Sequence, residues 1–312
     1  ALPISERRPW GSGADALAAV AGPPPRAVLR RTELGVGVLP LTKGNAMRLR
    51  IAGAIGALAL TVSVGASAQV LGQIAVYHAN VGWIGQAAAD EAAAEVVANT
   101  TIADITVVDM DGAADWLAAN TNDGEADVFF TFGYLPETVY DPGNGQADGS
   151  LIEDFIEGGN VSLNTADYIY YVTLGGGSNG ENGLKTITDS NFDLWTDGNV
   201  ATPTADGAKY TPSLAEYTSN RSLKRDQVEA DDNWEYVGVF AEGAGGTDPA
   251  IIQNVNDQGM VGVVMQVSDD TLPRGAVITE IFNNWLPAMF TTTAVEAEGK
   301  ATSTWAALKA DR

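Results

Sequence analysis

The chain is 312 residues long, contains no cysteine and carries a formal net charge of −23. Disulfides, thiolate catalysis and zinc–thiolate sites are therefore excluded. From Gln69 onward 9 Lys and Arg face 37 Asp and Glu, a net charge of −28, which argues against nucleic acid or an anionic membrane surface as a partner.

Residues 1–46 are rich in Pro and Arg, with Pro23-Pro24-Pro25 and Arg30-Arg31, and no fold is expected of them. Residues 47–68 read as a secretory signal peptide. Arg48 and Arg50 give a charged start, Ile51–Val64 an apolar stretch, and Ala66-Ser67-Ala68 a small-residue cleavage site. The apolar stretch is 14 residues long, short of the roughly 20 that a membrane span needs. Met47 is then the expected start, with upstream sequence before it. The expected mature product, Gln69–Arg312, is secreted to an extracellular or periplasmic space and leaves the membrane once the signal is cleaved. A chain of that size is long enough to bury a core without disulfides.

The mature part opens on a strand, Gln73–Ala79, whose apolar run Ile74–Tyr77 ends at His78. Trp83–Ala98 has helical periodicity, with Ile84, Ala88, Ala92 and Val96 in one row and Asp90, Glu91 and Glu95 opposite. A strand at Ile105–Asp109 and a short helix at Ala113–Ala119 follow. Val128–Phe132 is an apolar run of the length of a strand buried on both faces. After a polar loop, Tyr134–Ser150, the pair Ser150 and Glu153 has capping-box spacing. It opens a helix that buries Leu151, Ile152, Phe155 and Ile156 and stops at Gly158-Gly159. Val161–Leu163 is the next strand. Alternating strands and helices predict an α/β fold built on a parallel sheet.

Beyond Tyr171 the pattern loosens, and about 173–232 reads as an insertion of short irregular elements. Strands are expected again at Trp234–Glu242 and Gly259–Val267. The clearest helix follows, with Val277, Ile278, Ile281, Phe282, Trp285 and Leu286 on one stripe, Pro273 in its first turn and Pro287 as its stop. Residues 291–312 form a polar tail.

These elements in this order resemble the class I glutamine amidotransferase-like superfamily, in particular its trehalose-utilisation-type (ThuA-like) branch. Four stretches carry the resemblance, which spans about Gln73 to Leu286. They are the opening strand with its polar turn, Asp127–Phe132 with its long loop, the helix-Gly-Gly-strand step Phe155–Val161, and the closing pair of strand 259–267 and a helix ending Phe282–Leu286. The resemblance implies a flavodoxin-like three-layer sandwich, a central mostly parallel sheet with the irregular insertion, over residues 69–290. It also implies that the turn Asn164–Asp167 lies at the carboxyl edge of a central strand, with His78 and Gly133 beside it and Asn164 or Thr165 at its apex. Catalytic members of the superfamily carry a cysteine in that turn and a late histidine. Here the turn reads Asn164-Thr165-Ala166-Asp167, and the one histidine is His78. The scaffold carries over, and the amidotransferase chemistry does not.

Ligands of open parallel sheets bind beyond the carboxyl ends of the strands. That edge is expected to gather His78 and Asn80, Asp109 and Asp111, Gly133 and Tyr134, and Asn164, Thr165, Asp167 and Tyr168. Two readings stand. In one, these groups cap strands and bond loop backbone. In the other, His78 and Asp167 form a base–orienter pair with Thr165 as a weak nucleophile. The loop Tyr134–Ser150 offers Glu137, Asp141, Asn144, Gln146 and Asp148, an oxygen-rich set of the kind that holds Ca²⁺, but without the EF-hand spacing. No other metal or cofactor is expected. Tyr134, Tyr140, Tyr168, Tyr170, Tyr171, Trp195 and Tyr210 are expected at the same end, where aromatic faces beside carboxylates and amides suit a sugar. Their alternative role is to pack under the insertion. The functional expectation is a secreted, non-catalytic binding domain for a carbohydrate or other small polar ligand. The alternatives are a hydrolase using His78 and Asp167, and a structural subunit that meets a protein partner.

Overall fold

The computed structural model describes residues 69–79, 81–174 and 177–292. The expected signal peptide, the segment before it, Asn80 and nearly all of the polar tail lie outside the described residues.

The first half alternates as predicted: β1 (Val70–Tyr77), α1 (Gln86–Asn99), β2 (Ile105–Val107), α2 (Met110–Asn120), β3 (Ala126–Phe132), α3 (Leu151–Glu157) and β4 (Val161–Ala166). Next come β5 (Val172–Thr173), β6 (Gly177–Ser178), α4 (Asn182–Ile187), β7 (Asn199–Pro203), α5 (Ala205–Tyr210), β8 (Tyr217–Ser219) and α6 (Arg225–Glu229). The chain closes with β9 (Trp234–Val239), β10 (Ala241–Gly243), β11 (Gly246–Thr247), β12 (Ala250–Asn254), β13 (Met260–Gln266), α7 (Arg274–Glu280), a π-helical turn (Ile281–Trp285), α8 (Leu286–Met289) and β14 (Thr291–Thr292).

The central sheet runs β1-β3-β4-β13-β12-β9, and β14 and β2 share the outer side of β1. The strands β2, β1, β3, β4 and β13 are parallel neighbours in that order, which is the flavodoxin-like arrangement. Only β12 runs antiparallel, to both β13 and β9. Every residue of β3 and β4 is buried, because helices cover both faces. On one face Ile74, Val76, Val128, Phe130 and Leu163 pack with residues of α1 and with Val277, Ile278 and Phe282. On the other, Ala75, Tyr77 and Phe129 meet Trp116 and Leu117 of α2 and Ile152 and Phe155 of α3. Each large apolar side chain buried this way contributes roughly 1.5–3 kcal/mol.

The helix α3 carries the predicted capping box. Its Glu153 N–H donates to the Ser150 hydroxyl, and the Ser150 N–H donates to the Glu153 carboxylate. Gly159 takes the left-handed conformation after it, at φ 86°.

Several boundaries differ from the sequence expectation. Asp109 is not in a strand but caps α2 by accepting from Gly112 N–H at 2.8 Å, so that helix starts before Ala113. The expected strand Trp234–Glu242 breaks at Phe240. Its second part joins a small antiparallel sheet, β11-β10-β7-β8, so the inserted layer draws on residues beyond 232. The strand β12 is new; it is a short apolar run wedged between β9 and β13. Pro287 does not end the last helix. A proline lacks the N–H and crowds the carbonyl four residues back, and the helix widens into its π turn just before Pro287 instead of stopping.

The largest revision concerns β4. It continues through Asn164 and Thr165 to Ala166, so neither Asn164 nor Thr165 is the apex of the turn. The strained backbone falls on Ala166, at φ 100°. An alanine in this region costs on the order of 1 kcal/mol. Ala166→Gly is therefore expected to raise the unfolding free energy by about 0.5–1 kcal/mol in urea titrations, whereas the same change at a residue with ordinary φ lowers it.

Candidate functional site

Register brings the strand ends into line. Tyr77 sits opposite Thr131 and Thr131 opposite Asn164, so His78, Gly133 and the end of β4 lie along one carboxyl edge, with β4 flanked by β3 and β13. The expected neighbourhood of the turn is therefore present, but the roles within it differ. Asn164 is fully buried and points into the layer, where its amide donates to Thr131 Oγ1 at 2.8 Å and to the Gly133 carbonyl at 3.0 Å. Gly133, at φ 77°, donates its N–H to the Thr165 carbonyl at 2.9 Å. Both tie the end of β3 to β4. Thr165 is fully buried, and its hydroxyl has no hydrogen-bond partner among the described residues. Sealed inside the sheet, it cannot meet a ligand as a nucleophile, because β4 extends past it.

The expected pairing of His78 with Asp167 is absent. His78 Nδ1 lies 2.9 Å from Asp90 Oδ1 on α1. Gln86 completes that cluster, donating to the His78 carbonyl at 2.6 Å and to Asp90 Oδ1 at 2.7 Å. Hydrogen bonds from Gln86 and then His78 hold the Asp90 carboxyl below its usual range. Asp167 is engaged elsewhere, 3.5 Å from Arg221 Nε. Burial pushes the Asp167 carboxyl up, and the Arg221 charge opposes the shift.

Around Asp167 the structure builds an aromatic box. A cavity of about 120 Å³ is lined by Trp83, Asp167, Tyr168, Tyr171, Trp195 and Arg221. Tyr168 stands 5.0 Å from Tyr171 and 5.3 Å from Trp195, centroid to centroid, and the Arg221 guanidinium lies 4.4 Å over the Trp195 ring. Tyr168 is a support, since it is 2% exposed and its hydroxyl accepts from Leu194 N–H at 3.0 Å. That bond fixes the segment presenting Trp195, which is 43% exposed. Tyr134 does not line the box but supports one of its walls, Trp83. It packs edge-to-face on Trp83 at 5.0 Å over Gly82, where any Cβ would strike the tyrosine ring.

The other expected aromatics are not here. Tyr140 is buried and bonded to Asn144 and Thr186, Tyr170 is buried on Ser162, and Tyr210 packs with the opposite face of the sheet. In the loop proposed for Ca²⁺, Asn144 is bonded to Tyr140 and to the Asn179 carbonyl. Among the described residues, the acidic groups close enough to share an ion are Glu153, Glu157 and Asp189, on and near α3.

The sequence offers Asp90 only as part of the polar face of α1, and it does not single out Arg221. The signal for Arg221 was the scarcity of cations: with 9 Lys and Arg among 37 carboxylates, an arginine in the inserted layer finds an acidic partner.

The inserted layer, which supplies Trp195 and Arg221, is fastened to the sheet through Asp248. This carboxylate is fully buried. Its Oδ2 accepts from Ser219 Oγ of β8 at 2.6 Å and from Gln266 N–H of β13 at 2.7 Å, and the Tyr217 hydroxyl donates to its carbonyl at 2.8 Å. Asn220 N–H donates to the Gln266 carbonyl at 3.1 Å. Gln266 in turn donates its amide to the Asn164 carbonyl and Oδ1, both at 2.9 Å. Arg221 therefore stands next to Asn220, on a chain of bonds that reaches β8, β13, β4 and β3.

No protein-family model matches the chain, and no protein of curated function matches it. Among solved structures it is similar to a ThuA-like protein from Bacteroides uniformis ATCC 8492, with 11% identity and a TM-score of 0.39 over 70% of this chain and 91% of that one. It is also similar to the cold-adapted β-galactosidase of Rahnella sp. R3, with 12% identity and a TM-score of 0.34; there the alignment covers 69% of this chain and 31% of that one.

Desolvation pushes the Asp248 pKa up to about 6, against the bonds from Ser219 and Gln266. A carboxyl whose folded pKa exceeds its unfolded value stabilises the fold when protonated, so this contribution falls as pH rises from about 4 through 6. The penalty of the ionised form is on the order of 3 kcal/mol. Asp248→Asn keeps an acceptor for Ser219 and Gln266 and removes the charge. The difference in unfolding free energy, variant minus parent, is expected to shift in the variant's favour between pH 4.5 and pH 7.5. A pH-independent difference contradicts the assignment.

Proposed function

We propose that this chain is an exported, non-catalytic carbohydrate-binding domain whose ligand occupies the aromatic box at the end of β4. The observation that carries the reading is the convergence of Trp195, Tyr171 and Trp83 with the Asp167–Arg221 pair in one cavity. Aromatic faces take the C–H surface of a pyranose ring, while a carboxylate and a guanidinium hydrogen-bond its hydroxyls. The cavity is small, about 120 Å³, and one wall is the half-exposed Trp195. Such a shape receives a terminal or partly exposed sugar rather than an engulfed one. Export is motivated by the charged, apolar and small-residue segments of residues 47–68.

The hydrolase alternative loses its geometric basis, because His78 is paired with Asp90 and Asp167 with Arg221. The reading as a structural subunit finds no specific observation in its favour.

A glycan array followed by calorimetry on the best ligand tests the proposal. Trp195→Ala removes a stacking face and is expected to weaken binding about 10-fold, equivalent to roughly 1.4 kcal/mol. Arg221→Gln is expected to weaken it as well, with the far-UV circular dichroism unchanged in both variants. No binding across neutral, acidic and amino sugars, or binding by both variants with the parent's affinity, overturns it.

A further inference from the structure

The aromatic box shares one wall with a second cavity. This is an open groove of about 520 Å³ along the inserted layer, and its lining includes Trp195, Asp197, Val200 of β7 and Ala244 of the turn between β10 and β11. Trp195 is the residue that lines both. The groove is held in shape from beneath by Asn199, which is 6% exposed. Its Oδ1 accepts from Gly245 N–H at 2.8 Å, and its amide donates to the Ser222 hydroxyl at 2.8 Å and to the Gly246 carbonyl at 3.2 Å. These bonds pin the turn at 244–245 beside β7, so the two walls keep their spacing without a ligand.

Three features fix the chemistry that suits it. First, it is apolar where it is open. Among the described residues five large apolar side chains are exposed, and two of them, Trp195 and Val200, line this one groove. Second, its charge is unfavourable to anions. The groove lining holds no lysine or arginine, and the one cation at its border, Arg221, is shared between Asp167 in the box and Asp197 in the groove. Two carboxylates on one guanidinium leave a net negative charge, so an acidic sugar would be repelled. Arg221 meets one oxygen of Asp197, whose side chain is 68% exposed, and the other oxygen can accept from a hydroxyl. Third, the sizes are unequal. The box, at about 120 Å³, suits a terminal unit, while the groove lies in the range of small organic ligands. At Gly198 the space where a Cβ would stand is open, so a ligand can approach the backbone there.

We propose that the box and the groove are successive subsites for one neutral, linear oligosaccharide. Its terminal unit sits in the box. The following units pass along the Trp195 indole onto Val200, and Asp197 accepts a hydroxyl from them. Arg221 lies 4.4 Å over one face of that indole, so these units use the indole surface that Arg221 leaves open. The inference rests on the carbohydrate reading of the box and adds to it a chain length and a charge class.

Calorimetry with glucose, mannose and xylose, set against cellotetraose, maltotetraose, laminaritetraose, mannotetraose and xylotetraose, is the measurement, with tetragalacturonate as the acidic probe. At least one neutral tetraose is expected to bind at least about 10-fold more tightly than its own monomer, and tetragalacturonate is expected not to bind. Val200→Ala and Ala244→Glu, both at exposed positions outside the box, are each expected to weaken that tetraose at least about 3-fold. The monomer's affinity and the far-UV circular dichroism are expected to stay unchanged in both. Arg221→Gln is expected to weaken monomer and tetraose alike. A tetraose no tighter than its monomer, tetragalacturonate binding as tightly as the neutral chains, or tetraose binding that survives both groove variants overturns this inference and leaves the box reading standing. Binding that falls with the groove variants but not with Arg221→Gln, or no binding to any probe, overturns the two together.

Discussion

A single buried carboxylate joins the two layers that make the site. The oxygen of Asp248 that bonds Ser219 and the Gln266 backbone holds β8, in the inserted layer, to β13, in the central sheet. Placing an unpaired carboxylate in the interior is costly, and its other oxygen finds no hydrogen bond among the described residues. The compensation is positional. Ser219 precedes Asn220 and Arg221, Gln266 reaches on to Asn164, and Asn164 reaches on to Thr131 and Gly133. One polar chain thereby sets the spacing between the cation brought by the insertion and Asp167 brought by the sheet.

The division of labour follows from how each layer is stabilised. Strands β3 and β4 are buried along both faces and are fixed largely by packing, which tolerates little displacement. The inserted layer has short strands and short helices and relies on hydrogen bonds and ion pairs, such as Lys224 with Asp193 and Arg221 with Asp197. Partly exposed pairs of this kind contribute little singly. A rigid sheet edge facing a polar, hydrogen-bonded wall can hold a ligand between them without placing any strained group in the sheet core. The exceptions are Met265 in β13, at φ 53°, and Ala166, whose left-handed backbone turns the chain from the sheet toward Asp167.

Much of the scaffold was legible because its signals are local. The apolar run Val128–Phe132, the capping box at Ser150 and Glu153, and the helical stripe from Val277 to Leu286 each lie within a few residues. What was not legible depends on distant partners. Asn164 read as a turn residue because Asn tolerates unusual backbone angles, yet Thr131 and Gly133 recruit its side chain and keep it in the strand. Thr165 was expected in the turn as a weak nucleophile, but the extension of β4 buried it. His78 has Asp90, 12 residues away, within reach of a reading that follows the α1 face, whereas Arg221 meets Asp167, 54 positions earlier in the chain, and no spacing rule predicts that. The break of the expected strand at Phe240 has a similar cause, since Phe240 bonds Pro249 and Thr204 from separate segments.

Backbone hydrogen exchange on Asp248→Ala, compared with the parent protein, tests the dependence of the site on this carboxylate most directly. If Asp248 fastens the inserted layer, the amides of Asn220, Ser222 and the segment around Trp195 lose protection, while those of β1, β3 and β4 keep theirs. Unchanged protection across β8 and its neighbours would contradict it, and so would a uniform loss that includes the central strands.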